Sequence, residues 1–399
     1  MEYPQQLSHG ASGSAFSGGL PGFDMRDWLE PRRMTVIMWD TMFLLRHAAG
    51  SDAEDYDKLL DDTVERGYNT VRLDPLPQYI DLREPDREFF WPGPATNYTP
   101  WHGDREVNGP LGRWLIEFME KLLDRRMHYT LSAWWKFSEK VTPKHKPLPA
   151  NHTEGAEIWA EMLHEWKRLF GFQGLAYVDL ANEVPYFFPG FGKRFKEEMG
   201  VGWGGPTAFT SEQANFVAAE INPALALLRR EFPELRFTIS THGDLRWLDV
   251  PVELDCLDVH FYAEADARWN QRTRFGELMP RFFRDADWHA EFSERCTKAQ
   301  QAGAAMYRAR QRAKLARFAA WAEEKGMPLT TSESWSSWYY MDSPDLDWAW
   351  LLEWAEWTVE DAIDARMWGW TPHNYCQPQF ENWKDVRWHQ RLTQRFLSS

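Results

Sequence analysis

Short apolar, β-branched runs alternate with longer stretches of helical periodicity along almost the whole chain. Eight runs stand out: MTVIMWD at 34–40, NTVRLD at 69–74, HYTLSAWW at 128–135, LAYVDLANE at 175–183, RFTISTH at 236–242, CLDVHFY at 256–262, MPLTTSE at 327–333 and ARMWGW at 365–370. Near-continuous apolar runs of this length are what strands buried on both faces require. Between them, AEDYDKLLDDTVERG at 53–67 places Tyr56, Leu59, Leu60 and Val64 near a 3.6-residue period, and similar spacing recurs at 113–126, 155–170, 212–232 and 299–326. Gly67 and Gly326 each close a helix just ahead of a strand, where a glycine C-cap belongs. Strand then helix, eight times, predicts an α/β fold of the (β/α)8 or TIM barrel class. The segment 243–255 has room for only a single helical turn. Loops at 84–110, 136–153 and 263–298 are long and are expected above the C-terminal face of the barrel, where active sites form.

Residues 1–28 read as a flexible arm and 29–399 as one barrel domain. The arm is rich in Gly, Ser and Pro but lacks the basic and apolar regions of a secretion signal. No apolar run approaches the length of a membrane helix, so a soluble, cytoplasmic protein without a membrane partner is expected. The net charge of −15 argues against nucleic acid or an anionic membrane as partner. With 43% apolar residues a large core is easily built. Cys256, Cys296 and Cys376 have no CxxC spacing and read as buried free thiols, with no metal site. The absence of HExxH, Walker, GxGxxG and GxSxG motifs leaves no cofactor to expect. Twenty-four Trp exceed ordinary usage. Most are expected in the core, some as stacking platforms for sugars, and exposed ones would equally suit a homo-oligomer contact. The basic helix at 299–326 reads as a solvated outer face.

The chemistry concentrates at the ends of the apolar runs. Asn182-Glu183 in AYVDLANEVPYF and Glu333 in MPLTTSESWSSW each put a carboxylate where a run ends. If both runs are parallel barrel strands, the two acids share one cleft. Glycoside hydrolysis needs that pair: one carboxyl to protonate the leaving oxygen, the other to attack or to activate water. Each residue alone has a plainer reading, as a helix cap, an ion-pair partner or a satisfied core group. Asp40 and Asp74, ending the first two runs, are candidates for binding sugar hydroxyls, although Asp74 before Pro75 also suits a turn. Trp39, Trp135 and His242 are further strand-end candidates for substrate contact, and Trp91, Trp101, Trp335 and Trp338 are loop candidates.

Taken together, these residues give the chain a resemblance to the cellulase-like members of the clan A glycoside hydrolases, over about residues 34 to 372. The resemblance implies that Glu183, after Asn182 at the end of strand four, is the acid/base, and that Glu333, ending strand seven, is the nucleophile. It implies that Arg72 of strand two lies beside the nucleophile, and that His260 and Tyr262 are the His-x-Tyr of strand six. Trp368 or Trp370 is implied as the strand-eight floor of the sugar subsite. Two departures are visible: run three ends in Trp134-Trp135, where many cellulases carry histidine, and His242 has no assigned counterpart. The implied function is cofactor-free retaining hydrolysis of a β-linked oligosaccharide or glycoside, and the long top loops with the expected cytoplasmic location favour exo action on short glycans. A non-catalytic sugar-binding barrel and a transglycosylase are the alternatives. In a retaining site Arg72 and Tyr262 would hold Glu333 ionised while its charge raises the pKa of Glu183, and Asn182 would donate to the substrate 2-hydroxyl.

Overall fold

The computed structural model describes residues 29–93, 103, 105–136, 138–143, 146–188, 190–278, 282–283, 285–335, 337, 340–372 and 375–399. The expected arm 1–28 and the candidate platforms Trp101 and Trp338 lie outside the described residues. Among the described residues eight parallel strands form a barrel: β1 (Met34–Asp40), β2 (Thr70–Leu73), β3 (His128–Ser132), β4 (Leu175–Asp179), β5 (Phe237–Thr238 and Ser240–Thr241, interrupted at Ile239), β6 (Leu257–Val259), β7 (Leu329–Thr330) and β8 (Gly369–Trp370). One sheet runs β8-β1-β2-β3-β4-β5, and the second piece of β5 carries the pairing on through β6 to β7. The ring closes where Trp368 N–H donates to Leu329 O at 2.7 Å and Thr331 N–H to Gly369 O at 3.2 Å.

Alternation along each strand divides the side chains between the barrel interior and the layer of helices outside. The outer layer includes Tyr56–Glu65, Leu111–Asp124, His152–Phe170, Ser211–Glu231, Ala349–Asp364 and Val386–Leu397. Local sequence fixes where several of these begin. Asp55 and Asn151 accept the N–H groups of Lys58 and Glu154, and Thr210 with Gln213 forms a reciprocal capping box. The expected single turn within 243–255 is the 3₁₀ helix Leu245–Asp249. All three cysteines are buried and free, and no helix among the described residues is long and apolar enough to cross a membrane.

Two of the long segments carry more structure than expected. Within 84–110, Phe89–Trp91 pairs antiparallel with Val107–Gly109. The segment 263–298 contains Ala267–Thr273, Phe275–Leu278 and the beginning of a helix that runs from Asp287 to Lys325, broken at Gly303 by a non-helical φ of −154°. Trp269, Phe275, Phe282 and Phe292 from this segment pack with Tyr340, Trp348, Trp350, Trp354, Tyr375 and Phe380 into a second apolar cluster. Trp350 and Trp354 belong to the outer helix Ala349–Asp364, so the cluster packs the segment after β6 against that helix and the segments after β7 and β8. It is the burial of its own rings that turns a nominal loop into helix.

One turn ties the helix Tyr56–Glu65 to the helix Val386–Leu397. Gly67 sits at φ +80° between Tyr56–Glu65 and β2. A Cβ there would lie 2.3 Å from Thr393 Oγ1, in the helix Val386–Leu397, whose hydroxyl donates to Arg66 O at 2.9 Å. Left-handed backbone and close approach both require glycine at this position. Gly67→Ala is predicted to lower the unfolding free energy by about 1–3 kcal/mol, read as a lower urea midpoint with an unchanged slope.

Candidate active site

Arg72 stands at the centre of the C-terminal mouth of the barrel, its side chain wholly buried. Its Nη1 donates to Asp40 Oδ1 at the end of β1 and to Glu333 Oε2 beyond β7, the latter at 2.9 Å. Its Nη2 donates to Ser132 Oγ of β3 at 3.1 Å and to Asn182 Oδ1 beyond β4. One planar guanidinium therefore fixes residues from four other strands, which a flexible ammonium would not do. Burial opposes the charge on Arg72, but Asp40, Glu333, Asp179 and Asp258 outweigh it and raise its pKa.

Glu183 and Glu333 face each other across this centre, 4% and 5% exposed. Glu183 holds a left-handed backbone, φ 45°, rare for a residue with a side chain. The neighbours keep it there: its N–H donates to Ser240 Oγ at 2.8 Å, and its carbonyl accepts from Tyr186 N–H at 2.7 Å. Asn182 Oδ1 accepts from Arg72 and from Ser240 Oγ, so its Nδ2 is the amide end left without a hydrogen bond among the described residues. Glu333 Oε1 accepts from the Tyr262 hydroxyl. His260, two residues before Tyr262 and on the same face of the chain, puts Nδ1 3.0 Å from Glu183 Oε1 and 3.8 Å from Glu333 Oε2. One ligating atom from each of Glu183, His260 and Glu333 lies within 4.8 Å of the others.

The electrostatics invert the expected order of the two acids. Burial pushes Glu333 up to about 7, against the pull of His260 and Arg72 and with the help of Glu183 and Asp40. Burial also disfavours charge on Glu183, but His242, His260 and Arg72 outweigh it and hold its pKa below the ordinary value. The reason is placement: His242 acts on Glu183 and not on Glu333, and the His260 ring stands nearer to Glu183. Burial works against charge on His260 too, yet Glu333, Asp258 and Glu183 push its pKa up to about 10, so it is an imidazolium at neutral pH. The two carboxyl groups titrate as a pair that keeps one proton until about pH 7.

Several sequence candidates lie elsewhere than expected. Asp40 contributes its Oδ1 to Arg72 rather than to an open subsite. Because Asp40 and Ser132 face Arg72, the adjacent Trp39 and the odd-numbered neighbour Trp135 face the helices instead. Trp39 packs edge-on to Phe118, and the Trp135 indole N–H donates to Leu180 O at 2.8 Å beside Phe188. Trp335 is buried and stacked on Phe261 at 4.8 Å. Trp368 lies at the other end of the barrel, in a cluster with Met34, Val36 and Tyr177, its indole N–H donating to Pro31 O. Trp370 faces outward to Thr358 and Phe396. Neither therefore floors a subsite between the carboxylates. Trp91 packs against Tyr79, and Asp74 accepts the N–H groups of Leu76 and Trp134, which makes it a turn-former; burial pushes its pKa up to about 8. His242 stacks on Tyr262 at 5.3 Å, next to the site.

Other contributors escaped sequence reading. Ser132 donates its hydroxyl hydrogen bond to Asp179 Oδ2 at 2.8 Å while accepting from Arg72, and Ser332 donates to Asp258 beneath His260 at 2.6 Å. Their signal was inward parity on runs three and seven, a weak cue for so common a residue. Lys136, just past the unusual Trp134-Trp135, holds its amine over the rings of Trp134 and Phe187 at 4.2 and 4.6 Å. Burial lowers its pKa to about 8, although Asp40, Glu333, Glu183 and Asp74 favour its charge.

The family model described as Sugar-binding cellulase-like matches residues 36–397. A crystal structure from Parabacteroides distasonis, described as a candidate glycoside hydrolase, is 24% identical with a TM-score of 0.75, covering 91% of this chain and 93% of that one. Thermotoga maritima Cel5A in complex with cellobiose is 12% identical with a TM-score of 0.51, covering 94% of this chain and all of that one, 100%. At these identities the likeness is one of fold. No curated protein matches the chain.

Removing the central cation would leave several acids buried without their partner. Arg72→Ala is predicted to destabilise the fold by about 3–5 kcal/mol, measured by urea unfolding at pH 7, with Arg72→Lys recovering only part of the loss.

Proposed function

The chain belongs to the cellulase-like family, and on that premise we propose that it is a retaining glycoside hydrolase acting on a β-linked oligosaccharide or glycoside. The observation that carries this reading is the short span between the two buried carboxyl groups, with one oxygen of each inside the 4.8 Å cluster. Retaining enzymes hold their carboxyl groups about 5–5.5 Å apart, whereas inverting ones leave about 6.5–9.5 Å for a water molecule. Glu333 attacks the anomeric carbon while Glu183 gives its proton to the departing oxygen. In the second half Glu183 takes a proton from the water that displaces Glu333 and releases the sugar. The free Asn182 Nδ2 is placed to donate to a substrate hydroxyl, and its orientation is fixed because Arg72 and Ser240 hold the amide oxygen.

The single proton of the pair has to be on Glu183 when the bond breaks. Positive charge developing at the anomeric carbon favours the Glu333 anion, and the leaving oxygen draws the proton to the Glu183 side. Exo action is favoured by the long, structured segment 263–298 that follows β6.

Hydrolysis of a panel of nitrophenyl β-glycosides tests the reading. Glu183→Ala and Glu333→Ala are each expected to lower turnover by at least about 10²–10⁴-fold, and azide is expected to restore product as an α-glycosyl azide from Glu333→Ala alone. Binding of oligosaccharide without turnover in the wild type would point instead to a sugar-binding barrel. The pH profile of kcat/KM is expected to be a bell. Its alkaline limb lies near 7, where the pair loses its last proton and the acid is gone. Its acid limb lies below the ordinary glutamate range, where both carboxyl groups are protonated and the nucleophile is lost.

A further inference from the structure

Tyr186, three residues beyond Glu183, is the most exposed large ring among the described residues at 59%. A monomer can carry such a ring anywhere, but this one is tied to the reaction centre by a ladder of aromatic contacts. It meets the His242 ring in a T-shaped contact at 5.4 Å, the His242 ring stacks on Tyr262 at 5.3 Å and 23°, and the Tyr262 hydroxyl donates to Glu333. The tight turn in which Tyr186 N–H donates to Glu183 O at 2.7 Å fixes the ring's origin beside the proposed acid. The contact with His242 is a single T-shaped one, and more than half of the Tyr186 side chain remains open to solvent.

Resting on the hydrolase reading above, we infer that Tyr186 is the stacking platform for the leaving-group sugar, so that the substrate is an oligosaccharide rather than a glycoside with a small aglycone. Glu183 protonates the leaving oxygen, so whatever departs lies on the Glu183 side of the cleaved bond, which is the side this ring borders. Sugars present an apolar face of C–H groups that stacks on an open aromatic ring, and a two-torsion side chain held by a T-shaped contact is ordered at little entropic cost. His242 is a positioning residue here: its T-shaped contact sets the tilt of the Tyr186 ring.

The test compares two substrates that share a glycone and differ in what leaves. The β-fluorides of glucose, mannose, galactose and xylose have no leaving-group sugar; the corresponding β-1,4-linked disaccharides do. For the glycone that the wild type accepts, Tyr186→Ala is expected to lower kcat/KM on the disaccharide about tenfold and to leave the fluoride within about twofold. Tyr186→Phe and Tyr186→Trp are expected to retain the disaccharide rate, because stacking and not the hydroxyl is used. Equal rates for wild type and Tyr186→Ala on both substrates, or an equal loss on both, would overturn the platform while leaving hydrolysis intact. Failure of the wild type on every fluoride and disaccharide would overturn the hydrolase reading, and the platform with it.

Discussion

The buried guanidinium of Arg72 is the interaction on which the site depends. Its hydrogen bonds reach Asp40, Ser132, Asn182 and Glu333, so β1, β3, β4 and β7 are held in register at the barrel mouth by one side chain of β2. A buried ion pair contributes little net stability when its desolvation cost is counted, but its geometry is specific. Here the specificity is spent on orientation. The amide of Asn182 can point only one way once Arg72 occupies its oxygen, and Glu333 can present only the face that Arg72 and Tyr262 leave open.

Around that cation the charges are arranged to hold a single mobile proton. His260 is kept protonated by carboxylates on both sides, Asp258 with Ser332 behind it and Glu183 with Glu333 in front. His242 acts on Glu183, and the imidazolium of His260 stands nearer to Glu183 than to Glu333, so two chemically identical acids differ in where the proton rests. Retaining chemistry as proposed here needs such a difference, and also needs it to reverse when substrate charge develops. Strained backbone at Glu183 and the ring ladder from Tyr186 to Tyr262 belong to the same design, since both fix side chains that would otherwise sweep through the cleft.

The fold was legible because its signal is repeated. Eight apolar runs each found a strand, and five helices lay close to the periodic stretches that announced them. The segment 263–298 reads as loop because its first two helices are short and its third is the start of a helix broken at Gly303, so no continuous amphipathic stripe marks them. In the site, carboxylates and polar partners at strand ends could be anticipated: Glu183, Glu333, Arg72, Asn182, His260 and Tyr262 are brought together. The tryptophans could not. A one-residue uncertainty in where a strand leaves the barrel exchanges inward for outward, which sends Trp39, Trp135 and Trp370 to the helices. Trp368 marks the start of a strand and not its end, and the order of the two pKa values depends on a ring position no sequence displays.

The most direct test of the central claim is mass spectrometry of the protein after reaction with a panel of 2-deoxy-2-fluoro β-glycosyl fluorides, which slow the second displacement more than the first. The account predicts one stable glycosyl adduct, mapped to the peptide carrying Glu333 and absent from Glu333→Gln. Efficient hydrolysis with no adduct, or an adduct on Glu183, would contradict it.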